Sequence, residues 1–176
     1  PGESDAALSH AENEALTDAA GRFELWLSAG EHQLIARGQG RQRLGAVSVT
    51  ADLEAPSDVT LGIGASARVS VAVTGDGVVG ALPVAVNLLA VAGQHPDPLL
   101  GQSVSHGQSH AAWTGAGVDS FDVAPGTYDV VISHGSSFER LVLKGVALTD
   151  GSVLEGHLKR VISTDGYVGC DFHQHT

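Results

Sequence analysis

The sequence predicts an all-β chain of two tandem sandwich units, the first of them incomplete. Three observations carry that expectation. Glycine is dense, 23 of 176 residues, where about 7% is usual. Each interior glycine costs a helix about 1 kcal/mol, whereas turns use its freedom at positive φ. Between the glycines, Val, Ile and Thr alternate with polar residues at a period of two, the signature of half-buried strands. The same series of turns and strands then occurs twice.

Residues 1–16 are rich in Ala, Glu and Ser, with Leu8, Ala11, Ala15 and Leu16 near helical spacing; the segment reads as polar and frayed. Strand character begins after the turn Thr17 to Gly21. Phe23, Leu25 and Leu27 alternate with Arg22, Glu24 and Trp26. The turn Ser28-Ala29-Gly30 leads into His32, Leu34 and Ala36, and Gly38, Gly40 and Gly45 close a hairpin. Val47 to Thr50 and Val59 to Ile63 read as two further strands. The second series opens with strands Arg68 to Val73 and Leu82 to Val91. A long loop, Gly93 to Gly117, follows, carrying Pro96, Pro98, His95, His106, His110 and Trp113; loops of such length are often functional. Ser120 to Val123, Tyr128 to Ile132, Leu141 to Thr149 and Val153 to Ile162 complete the strands, with turns at Ala124-Pro125-Gly126 and Asp150-Gly151.

The two series match as one unit used twice. Gly30 matches Gly126, Thr50 matches Thr149, Phe23 pairs with Phe121, and His32 falls where Tyr128 sits. The spacing exceeds the roughly 20–50 residues of solenoid repeats, so this is a domain duplication. The strands that open the second unit, from near Ala65, have no counterpart after residue 1 in the first. Such a gap leaves an open sheet edge, a pairing hazard, which either residues 1–16 or another polypeptide is expected to cover. The expected domains are 1–63, 64–163 and 164–176.

Composition excludes several classes. Apolar residues make up 43% and charged ones 16%, the balance of a globular chain. The net charge is −11, which repels phosphate backbones, so nucleic acid is not an expected partner. The longest apolar run, Val78 to Ala92, is interrupted by Gly80, Pro83 and Asn87, where a membrane span needs about 20 apolar residues. One Cys allows no internal disulfide, and the chain has no Met; it reads as a processed protein or an excised piece. The compartment is open, with a secreted or periplasmic one favoured. No nucleophile elbow, P-loop or Cys-x-x-Cys motif is present.

The strongest chemical signal is Asp171-Phe172-His173-Gln174-His175-Thr176. On a strand, residues i and i+2 share a face, so His173 and His175 present two imidazoles side by side. That pattern suits a divalent transition metal, with Asp171 on the same face. Two histidines are an incomplete set, since a catalytic zinc takes three protein ligands and a water. Trp26 and Trp113 are candidate binding surfaces; packing is the plainer expectation for each. His32 reads as a core-edge residue and Cys170 as a small buried hydrophobe.

The stretch from Thr164 to Thr176 resembles the opening strand of PHP-type (polymerase-and-histidinol-phosphatase) metallohydrolases of the CehA/McbA branch, which carries an Asp-hydrophobe-His-x-His-Ser/Thr motif. Ser133-His134-Gly135 with Phe138-Glu139, and Leu158 to Val161, resemble the β-domain that precedes such a domain. Thr17-Asp18-x-x-Gly21-Arg22-Phe23 with Ala29-Gly30 is similar to carboxypeptidase-regulatory, transthyretin-like sandwiches. The resemblance implies tandem transthyretin-like units ending in the first strand of a truncated PHP α/β barrel. It implies an accessory region of a metal-dependent, phosphoesterase-like hydrolase, inactive by itself. His173 and His175 would be ligands to Zn, Fe or Mn in the intact protein, with Asp171 assisting. The remainder of the metallohydrolase domain would be the partner. The alternative is a carbohydrate- or protein-binding adhesion module with no catalytic role.

Overall fold

A computed structural model describes residues 13–42, 44–52, 55–91, 100, 110–115, 119–163 and 165–166. Every regular element among them is a strand. By contacts the chain divides into unit 1 (Pro1–Ala36 and Arg43–Ile63) and unit 2 (Arg37–Gln42 and Gly64–Thr176).

Unit 1 contains β1 (Gly30–Leu34) and β2 (Val47–Ala51), paired antiparallel from Gly30↔Ala51 to Leu34↔Val47. Phe23, Leu25 and Leu27 are half-buried and alternate with exposed Glu24 and Trp26, but residues 22–28 form no strand ladder. Residues 59–63 likewise form none, although Val59 and Leu61 are half-buried between exposed neighbours. The alternation was there to be read; the ladder is not, because a strand needs a hydrogen-bonding partner beside it.

The described residues of unit 2 form two sheets. Its strands are β3 (Ala67–Gly75), β4 (Ala85–Ala90), β5 (Ala111–Trp113), β6 (Asp119–Val123), β7 (Gly126–Ser133), β8 (Leu141–Leu148) and β9 (Val153–Leu158). One sheet has the order β6-β3-β9 and the other β5-β4-β7-β8. β3 pairs antiparallel with β6 and parallel with β9. β5 lies inside the segment Gly93 to Gly117 expected to be a long loop. It is a three-residue edge strand whose Trp113 pairs with Ala85.

Alternation drives one face of each sheet inward. Val69, Val71 and Val73 of β3, Val86 and Leu88 of β4, Val130 and Ile132 of β7, and Leu154 and Leu158 of β9 meet in one buried cluster. Full burial of each such side chain is worth about 1.5–3 kcal/mol. No charged or polar residue is buried among the described ones. A bulge interrupts β7–β8 between Tyr128 and Val130. Lys144 and Gly145 there face the single residue Asp129, whose carboxylate accepts Lys144 Nζ at 2.7 Å and Gly145 N–H at 2.9 Å. Gly145 has φ +61, the left-handed conformation such bulges use.

Arg37–Gln42 belongs to unit 2 although β1 and β2 flank it in sequence. Gln42 N–H donates to Ala65 C=O at 2.8 Å, and Ser66 Oγ donates to Gly40 C=O at 2.8 Å. Gly40 has φ +63, and a Cβ there would lie 2.4 Å from the Asp122 carbonyl oxygen.

Candidate functional site

The described residues form a groove on the edge of the four-stranded sheet of unit 2. Register places Ala85 of β4 between Trp113 of β5 and Ser133 of β7. Thr114 fixes the end of β5: its N–H donates to Val84 C=O at 2.9 Å, and its Oγ1 accepts from Val84 N–H at 2.8 Å. On the other side, His134 Nδ1 hydrogen-bonds Pro83 C=O. A carbonyl only accepts, so Nδ1 is the donor. The imidazole meets the Phe138 ring edge-on at 5.1 Å, and the Arg160 guanidinium lies 4.8 Å over the same ring. Between Trp113 and His134 the floor of Pro83, Val84 and Ala85 bounds about 380 Å³. The volume suits a small ring or an extended peptide stretch. Trp113 is 61% exposed, so its indole presents a face to solvent.

A second polar cluster sits at the end of β3 and β9. Thr74 and His157 are paired in register. His157 Nε2 lies 2.7 Å from Asp76 Oδ1, and its Nδ1 lies 2.9 Å from Thr74 Oγ1. Asp76 also accepts Arg160 N–H at 3.1 Å. The His157 hydrogen bond and then that of Arg160 hold the Asp76 carboxyl below its ordinary range. The order hydroxyl, imidazole, carboxylate matches a proton relay. Yet the side chains of His157 and Asp76 are each about half-exposed, so water competes for every member. We read the trio as a clasp between β3 and β9.

His173, His175 and Asp171 lie outside the described residues, as do Cys170, His95 and His106. His110 precedes β5 and gives its carbonyl to Leu88 N–H at 2.8 Å. Trp26 is 81% exposed. His32 is half-buried, with Nε2 2.8 Å from Ser28 C=O. Among the described residues no group of three or more His, Cys, Asp or Glu is placed to hold a metal, and no helix is long and apolar enough to cross a membrane. Sequence reasoning missed His134 as the groove's second wall and the Asp76–His157 pair. The first follows from an edge strand that was read as loop, and the second from a parallel register between distant segments.

No family model, no curated protein and no solved structure matches this chain.

Proposed function

We propose that this chain is the accessory β-region of a PHP-type metal-dependent hydrolase, inactive by itself, built from transthyretin-like units. The observation that carries the reading is the sequence Asp171-Phe172-His173-Gln174-His175-Thr176 following soon after the last strand of unit 2. The donor set is consistent with the metal. Two imidazoles two residues apart and a carboxylate suit Zn, Fe or Mn, with the other ligands coming from later strands of the metallohydrolase domain. His173 and His175 bind the ion in this reading, and Asp171 orients or assists. When bound, such an ion activates a water and polarises a phosphoester-like bond. The test is metal content by mass spectrometry on the polypeptide that continues through the metallohydrolase domain. Replacement of His173 and His175 by Ala is expected to remove at least one equivalent of transition metal. Full retention of metal by the double variant would sink the reading.

A second reading, a carbohydrate- or protein-binding module, has its own observation: the exposed Trp113 facing His134 across the groove. A flat indole beside polar groups is a platform for a sugar or peptide ring face. Screening unit 2 against an oligosaccharide array and a peptide library checks it. Binding lost in Trp113→Ala and retained in Trp26→Ala supports it, and no binder above background ends it.

A further inference from the structure

Unit 1 matches part of unit 2 in hydrogen bonding as well as in sequence. In unit 2 the Tyr128 hydroxyl donates to Ala124 C=O, four residues back, at 2.7 Å. In unit 1 His32 Nε2 bonds Ser28 C=O, also four residues back, at 2.8 Å. Each bond sits at the start of a strand opened by a glycine, Gly126 or Gly30, and each strand pairs antiparallel with the next. β1–β2 is therefore the counterpart of β7–β8. In the same alignment Leu25 corresponds to Phe121, Leu27 to Val123 and Leu34 to Val130; the earlier pairing of Phe23 with Phe121 shifts by two. Residues 22–28 are then the counterpart of β6, and residues 56–63 that of β9.

In unit 2, β6 and β9 do not pair with each other; each pairs with β3, which lies between them. β7 is paired on both edges, by β8 and by β4. Unit 1 has neither a β3 nor a β4 among its described residues. Its counterparts of β6 and β9 carry the right alternation without ladders, and β1 has one partner. Burial tells the same story. Val123, Val130 and Tyr128 are 0%, 0% and 3% exposed, whereas Leu27, Leu34 and His32 are only half-buried. Among the described residues, none of the buried core residues belongs to unit 1. A unit that orders its backbone at roughly 1–2 kcal/mol per residue without burying a side chain has nothing to offset that cost.

We propose that unit 1 is completed by strands contributed from upstream in the same polypeptide. The first inserts between residues 22–28 and 56–63, antiparallel to the former and parallel to the latter, as β3 does. The second pairs antiparallel along Gly30–Leu34, as β4 does along β7. The inserted strand has the pattern of β3, alternating apolar residues of the size of Val69, Val71 and Val73 with no inward charge. The internal repeat names the source, because in unit 2 these strands precede β6 in the chain. Residues 1–12 are too few for two strands of the nine- and six-residue lengths of β3 and β4 and the turn between them. A second copy of this chain does not serve: its own β3 is held on both edges, and lending it would strip the core of unit 2. An edge-to-edge pair of β1 strands would leave the gap between residues 22–28 and 56–63 empty. The inference rests on the duplication and not on the metal reading.

The test is hydrogen exchange, read by mass spectrometry, on residues 1–176 and on the same polypeptide extended upstream by its own residues over a length matching Ala67–Trp113, the span of β3 to β5 that precedes β6 in unit 2. In the shorter sample peptides covering 23–34 and 47–61 are expected to exchange at near-unfolded rates while β3 and β7 are protected. In the longer one those unit 1 peptides slow at least tenfold. Leu27→Asp abolishes the slowing and Glu24→Lys keeps it, with protection of β3 and β7 reporting intact folding throughout. Three results overturn the proposal: protection of unit 1 in monomeric 1–176, protection that tracks dimerisation, or no slowing in the extended polypeptide.

Discussion

The Tyr128 hydroxyl is the polar tip of an otherwise apolar side chain that is 3% exposed, and its bond to Ala124 C=O pins the corner where β6 turns into β7. Tyr128→Phe keeps the ring and removes the donor. A loss of about 1 kcal/mol in urea unfolding is the expected outcome, against no measurable change for His32→Phe in unit 1. Three carboxyls fix turns and bulges at the surface. Asp76 is lowered from its ordinary 3.8 by His157 and Arg160 N–H, Asp119 by the N–H groups of Gly115 and Ser120, and Asp129 by Lys144 and Gly145 N–H. Each binds its proton more weakly folded than unfolded. Their contribution is present above pH 3.8 and is lost as pH falls through the folded values. Thermal melting is therefore expected to drop below pH 4, and Asp129→Asn to flatten that acid limb. These residues were invisible in the sequence as a set. Asp76 and His157 stand in distant segments, and only the parallel register of β3 and β9 brings them together.

At the level of elements, alternation was legible wherever a strand has one dry face. β3, β4, β6, β7, β8 and β9 fall within a few residues of their expected places for that reason. β5 was not legible, because three residues are too short to show a period. Residues 23–27 and 59–63 show the converse, a pattern that specifies which side faces in but not whether a neighbour is there to pair with. Core substitutions are expected to separate the two cases. Leu154→Ala, at 2% exposure, costs about 2–5 kcal/mol. Leu61→Ala in unit 1 stays within about 0.5 kcal/mol, as substitutions away from a packed core do. Both are read from denaturant midpoints monitored at unit 2. Gly40→Ala places a methyl against the Asp122 backbone at positive φ. Cleavage within 37–42 by a non-specific protease is expected to rise at least tenfold, since relief requires that segment to leave β6.

Over the whole molecule the recurrence of turn glycines and strand lengths was legible in the sequence, but the contrast between the two units in pairing and burial needed the structure. Among the described residues unit 1 has one two-stranded pair and unit 2 has two sheets around a buried core. The His173-x-His175 spacing is visible in the sequence, and its reading as a metal motif rests on the family resemblance. The groove was not legible there, since Trp113 and His134 are separated in sequence and meet only across β4. A mechanical consequence follows from the pairing of β3 with β9. They are the first and last strands of unit 2, they run parallel, and six residue pairs from Ser70↔Val153 to Gly75↔Leu158 join them. Tension arriving at the start of β3 and leaving at the end of β9 pulls the two strands lengthwise past each other. The rungs between them are then loaded together instead of opening one at a time. Unit 2 is thus built to transmit tension along the chain without unravelling. Single-molecule stretching is expected to show a higher rupture force with handles at residues 66 and 160 than with handles across the β7–β8 hairpin.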